Sequence, residues 1–180
     1  MITYVLILSQ SFPFSHRRAG EPTYFLEKMH NALTGQDFCL HNTGIDNSYG
    51  CTTLWCETIR EKKLHTIRAN YDLWAKRFEK IAAGKAVLSI RQWVGKPYGK
   101  DSTQQEIALL TKDDGIGIQR LEFKNGSIWL PLVGGRSSYY PSEIAANDGL
   151  SQTDWMDWFR NYDLSKPMVI IHFTNFRYNR

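Results

Sequence analysis

The sequence has no apolar run approaching the roughly 20 residues that a membrane-spanning helix needs. Its opening stretch, Met1-Ile-Thr-Tyr-Val-Leu-Ile-Leu-Ser9, lacks a basic leader and is too short in its apolar part for a secretory signal. Cysteine is scarce. Cys39, Cys51 and Cys56 are the three present, an odd number at low density. That argues against a disulfide framework and for free, buried thiols in a reducing, cytoplasmic setting. Together with His41 they offer four donors, but the short Cys-x2-Cys knuckles of structural zinc are missing, so no metal is expected. There is no internal repeat, no low-complexity tract and no linker. Gly134-Gly135-Arg136 lacks the strand-then-helix setting of a phosphate loop. Neither a Ser-His-Asp order nor a paired-carboxylate motif stands out. No cofactor is expected.

What is present suits one folded domain. The 180 residues are 42% hydrophobic and 13% aromatic, enough to bury a core without covalent staples. The formal charge of +4 is modest, but it is unevenly spread. Residues 56–100 carry eleven Lys/Arg and four Asp/Glu, a net +7, so the remainder of the chain is net acidic. A single-sign concentration of this kind attracts phosphates.

Hydrophobic patterning predicts an α+β order. Residues 2–8 read as a buried strand. Phe25, Met29, Ala32 and Leu33 share one face of a helix that Gly35 ends. Residues 36–50 read as a surface excursion, and 52–62 as a short helix with Leu54, Trp55 and Ile59 inward. Asn70 caps a helix with Trp74, Phe78 and Ile81 on one face. Strands are expected at 86–93, 105–110 and 115–123. Asn125-Gly126 predicts a two-residue hairpin with 127–132 as partner strand. Two short helices follow, opening at Ser142 and at Ser151 or Thr153, the second with Trp155, Trp158 and Phe159 inward. Residues 168–174 make a last, central strand. A curled, mostly antiparallel barrel with helices over its ends and mouth fits this order.

Two segments carry a family resemblance. Lys63-Leu64-His65-Thr66-Ile67-Arg68 resembles the K-x-x-T-I-R signature of ASCH domains (activating-signal-cointegrator homology), part of the PUA-like superfamily. Asp148-Gly149-Leu150, the acidic-aromatic run Asp154–Phe159 and the strand Met168–Phe173 resemble that family's late segment. The likeness covers about residues 55–175 of a single domain spanning 1–180. It implies a PUA-like β-pseudobarrel with a cleft that recognises RNA or a modified nucleoside. Some members are amidohydrolases on N-acylated cytidine nucleosides, using a lysine, a threonine and a carboxylate; others are ribonucleases. Carried over, these roles fall on Lys63, Thr66 and Asp148, with Arg68 the signature arginine. Asp148 departs from the amidohydrolase pattern, which has the longer glutamate.

The residues themselves permit such chemistry. A threonine hydroxyl becomes a nucleophile when a base takes its proton, and a desolvated lysine can be that base. Residues i and i+3 of a strand face opposite ways, so Lys63 and Thr66 can share a cleft only if the backbone before Thr66 is irregular. Arg68 offers a planar fork for phosphate or a base edge. Arg91, Trp93, Lys96 and Tyr98 repeat a cation beside an aromatic, as a base-stacking platform does, and His65 joins them as a ligand-facing residue. Trp93 as plain core is the structural alternative. His16-Arg17-Arg18 is a possible phosphate clamp in an exposed loop. The leading expectation is a binding domain for RNA or a modified nucleoside. An amidohydrolase is second, and a protein-interaction domain docking through the basic strip is third.

Overall fold

The computed structural model describes residues 1–40, 57–95, 97, 99–100, 102–135 and 137–179. Among the described residues the fold is α+β, with four α-helices and sheets that are mostly antiparallel. Among the described residues there is no closed barrel. The strands form a three-stranded sheet, a five-stranded sheet and a two-stranded ribbon.

The smaller main sheet is built from β1 (Ile2–Leu8), β5 (Ala86–Val94) and β6 (Thr103–Leu110). β1 runs parallel to β5, and β6 antiparallel to it. Only Leu6 and Leu8 of β1 are buried, because β1 is an edge strand and not an interior one. The β5–β6 register slips between Ile90 and Arg91, so Ile90 faces Ala108 while Arg91 faces Glu106. Such a bulge re-aims the residues beyond it, here Arg91 and Trp93.

The larger sheet has the order β4 (His65–Ala69), β10 (Met168–His172), β7 (Gly117–Phe123), β8 (Pro131–Val133), β9 (Ser137–Ser138). β10 lies second in that order and is buried at all five positions, matching its unbroken apolar sequence. The Asn125-Gly126 turn is present, with φ of 56° and 69°, but it does not join the strands directly. A second turn at 127–130 follows, and the partner strand starts at Pro131, paired with Phe123. The hairpin loop is therefore longer than the dipeptide predicts.

The third sheet pairs β2 (Phe38–Leu40) with β3 (Glu57–Ile59). Residues 57–59 are thus strand, not helix. The three-residue pairing supplies backbone hydrogen bonds that outweigh the segment's weak helical pattern. Cys39 in β2 is disulfide-bonded, which corrects the expectation of free thiols. Its partner, and the rest of the predicted 36–50 excursion and 52–62 helix, lie outside the described residues.

Helix α1 (Phe25–Thr34) buries Phe25, Met29 and Asn31, leaves Leu33 exposed and ends at Gly35 with φ 74°. Helix α2 (Tyr71–Ala82) is capped by the Asn70 side chain, which accepts from the Leu73 N–H at 3.1 Å. Its buried Trp74, Phe78 and Ile81 pack against β5, β7 and β10, so one helix face serves both main sheets. Helices α3 (Pro141–Asn147) and α4 (Gln152–Phe159) follow, α4 capped by Ser151. Trp155 and Phe159 enter the core, whereas Trp158 is only partly buried. Among the described residues, no helix is long and apolar enough to cross a membrane.

Candidate functional site

Lys63 precedes β4 in a stretch, 60–64, that has no ladder pairing. Its backbone N–H bonds to Lys28 O at 2.9 Å, and the Leu64 N–H to Asn147 O at 2.8 Å. Regular pairing begins only at His65, opposite His172. This is the irregular backbone that a shared site for Lys63 and Thr66 requires. The segment is not the exposed cationic edge its composition suggests: Lys63 is 1% exposed, His65 0% and Thr66 3%.

The Lys63 ammonium donates to Asp148 twice, at 2.5 Å to Oδ1 and 2.6 Å to the backbone oxygen. It also lies 3.9 Å from the centre of the Phe25 ring, a cation–π contact. Burial pushes Lys63 down to about 8, with Asp148 opposing and Arg68 and Lys28 adding repulsion. Burial likewise raises the Asp148 carboxyl, against the pull of Lys63 and Arg68. The fit depends on Gly149. Its φ is +77°, and a Cβ there would sit 3.2 Å from Lys63 Cβ and 3.4 Å from Lys28 Cδ. Lys28 closes the junction by donating to Gly149 O at 2.9 Å.

Thr66 and Arg68, two apart in β4, point to the same side. Arg68 Nη1 donates to Thr66 Oγ1 at 2.7 Å and to Ile67 O at 2.8 Å; Nη2 donates to Ile7 O at 2.7 Å. The last bond joins edge strand β4 of the larger sheet to edge strand β1 of the smaller one. Lys63, Thr66, Arg68 and Asp148 are thus one connected group, linked by these hydrogen bonds and by the field of Arg68 on the Lys63–Asp148 pair.

Above Arg68 opens a cleft of about 600 Å³, walled by Phe25, Trp93, Trp158 and Tyr162 and by the chain at Ile7–Ser11. Trp93 reaches it from the bulged end of β5. Arg91 does not line it, because it donates to Ser89 Oγ at 2.8 Å and lies 3.8 Å from Glu106. His65 does not reach it either. It is sealed behind the strand, hydrogen-bonded through Nε2 to the Tyr178 hydroxyl at 2.8 Å and held neutral by burial, with His172 and Lys63 adding to the effect. Lys96 and Tyr98 lie outside the described residues. His16-Arg17-Arg18 does not line the cleft. Arg17 and Arg18 share Asp154 at 2.8 and 3.0 Å, and His16 Nε2 lies 3.0 Å from the Asp154 backbone oxygen. Burial would raise Asp154, yet bonds from Arg17, Ser151 and Arg18 hold it below its usual range.

Sequence patterning places Phe25 and Trp158 on packing faces and 2–8 in a strand, and does not mark Phe25, Trp158, Tyr162 or Ile7–Ser11 as cleft residues. Trp158 and Tyr162 repeat the spacing of four seen in Trp155 and Phe159, so the second aromatic stripe was the available signal. Among the described residues, no group of three or more His, Cys, Asp or Glu could hold a metal ion. No protein-family model matches the chain, and no curated protein or solved structure matches it either.

The buried pair makes a stability prediction. Lys63→Met should cost about 3–5 kcal/mol, since it strands a buried carboxylate. Lys63→Met with Asp148→Asn should recover part of that loss. Denaturant unfolding of the two variants checks it, and equal losses in both would contradict a paired role.

Proposed function

We propose that this chain is an ASCH-like domain of the PUA-like class that binds a nucleobase, in RNA or as a modified nucleoside, in the cleft above Arg68. In this reading the two main sheets, bridged by Arg68 at the β1 and β4 edges, make up the pseudobarrel. The observation that carries the proposal is the cleft wall: a guanidinium at the base and four aromatic rings around about 600 Å³. That volume suits one nucleoside-sized ligand. Flat rings supply stacking surface, and arginine supplies donors for a base edge or a phosphate. The meeting of Lys63, Thr66, Arg68 and Asp148, and the requirement for glycine at Gly149, support the family reading on physical grounds.

Binding is checked by tryptophan fluorescence with cytidine, N4-acetylcytidine and a single-stranded RNA tetranucleotide. At least one should quench saturably, and Trp93→Ala should weaken it by about 1–3 kcal/mol, the usual worth of a stacked base. No saturable binding by any of the three, or an unchanged affinity in Trp93→Ala, would contradict the reading.

A second reading, amidohydrolysis of an N-acylated cytidine, is favoured by one observation: the Lys63 amine is brought down to about 8, within reach of a general base. It ranks second because Lys63 donates to Asp148 and the Thr66 hydroxyl accepts from Arg68, with no hydrogen bond between Lys63 and Thr66. Incubation with N4-acetylcytidine should then release cytidine and acetate, faster as pH rises through about 8, and Thr66→Ala should abolish it. Absence of product, or turnover that survives Thr66→Ala, removes this reading.

A further inference from the structure

Arginine has five N–H donors in one plane. Three of those on Arg68 are committed, to Thr66 Oγ1, Ile67 O and Ile7 O. The Nε–H and the second N–H of the neighbouring Nη2 have no partner among the described residues. Nε is not one of the buried unpartnered atoms, so it keeps some exposure, and Arg68 is one of the residues that line the cleft.

The charge around it is also unbalanced. Lys63 and Arg68 are two desolvated cations, and Asp148 is the carboxylate that faces them both. Asp148 is already committed to Lys63 at 2.5 Å, and Arg68 forms no ion pair among the described residues. The described cleft lining contains no Asp or Glu; its other polar members are uncharged, such as Ser9, Gln10 and Ser11. A partly buried guanidinium without a counter-charge is costly, and a ligand oxyanion would offset that cost.

We infer that Arg68 is an oxyanion subsite: the cleft takes a planar ring that carries a phosphate or carboxylate group, and the Nε–H and Nη2–H of Arg68 receive it. The inference rests on the ring-binding reading of the cleft and specifies its ligand. A neutral nucleoside fills the aromatic part and leaves the fork unpaired. A nucleotide, or a ring bearing a carboxylate, fills both.

The test is fluorescence titration of the full chain with cytidine, cytidine 5′-monophosphate and orotate at low and high salt. One anionic ligand should bind roughly tenfold or more tightly than cytidine, as two charge-assisted hydrogen bonds would give. The preference should shrink with added salt and vanish in Arg68→Gln. Tighter binding of the monophosphate assigns the oxyanion as phosphate; tighter binding of orotate assigns it as carboxylate. If Arg68→Gln does not fold, the comparison among ligands on the unaltered chain decides alone. Equal affinity for cytidine and both anions overturns the subsite and leaves nucleobase binding standing. Failure of all three ligands to bind overturns both.

Discussion

The buried contact between Lys63 and Asp148 is the constraint on which the rest of the site depends. An ammonium and a carboxylate at 1% and 4% exposure cannot stay charged in a protein interior unless each is well partnered, because the desolvation penalty is several kcal/mol per ion. The surrounding structure follows from that requirement. The turn after α3 presents both the Asp148 carboxylate and its backbone oxygen to one ammonium. Gly149 lets that turn approach the Lys63 stem more closely than a side chain would allow. The end of the 60–64 segment gives up strand pairing so that Lys63 can reach inward, and its backbone bonds are recovered from Lys28 and Asn147.

Arg68 then converts a junction into a cleft. The two main sheets present neighbouring edges at β1 and β4, and a single side chain spans them by its bond to Ile7 O. Where a continuous ladder would close the gap, a side-chain bridge leaves room beside it. The aromatic wall fills that space from three directions: Phe25 from α1, Trp93 from the bulged β5, and Trp158 with Tyr162 from α4 and the turn after it. The acidic side of α4 is tied down by Arg17 and Arg18, so the 9–20 loop holds that wall in place.

Elements with a strong local signal were legible in the sequence. The α2 stripe Trp74, Phe78, Ile81 with its Asn70 cap and the unbroken apolar β10 fall where their patterns put them. For Lys63 and Thr66 to share a site, strand parity required irregular backbone before β4, and residues 60–64 have no ladder pairing. Features set by long-range contact were not legible. Residues 57–59 become strand because β2 lies beside them. Arg91 is taken by Glu106 and Ser89 across the β5–β6 bulge, which no local pattern marks. His65 sits within the signature yet is turned inward, since strand alternation sets it opposite to Thr66 and toward Tyr178. The charge count of residues 56–100 pointed to a cationic surface, but Lys63, the cation paired with Asp148, is buried.

The central claim is that Lys63 is a desolvated ammonium held by Asp148. A lysine lowered in the folded chain binds fewer protons than in the unfolded one between its two pKa values. Stability from this group therefore rises with pH from about 8 toward 10.5. The direct measurement is an NMR titration of the Lys63 side chain. The account predicts a midpoint near pH 8, moving lower still in Asp148→Asn, where the partner that favours the charge is gone. A midpoint at or above the ordinary 10.5 would contradict it, because the pull of Asp148 would then match or exceed the desolvation of the ammonium.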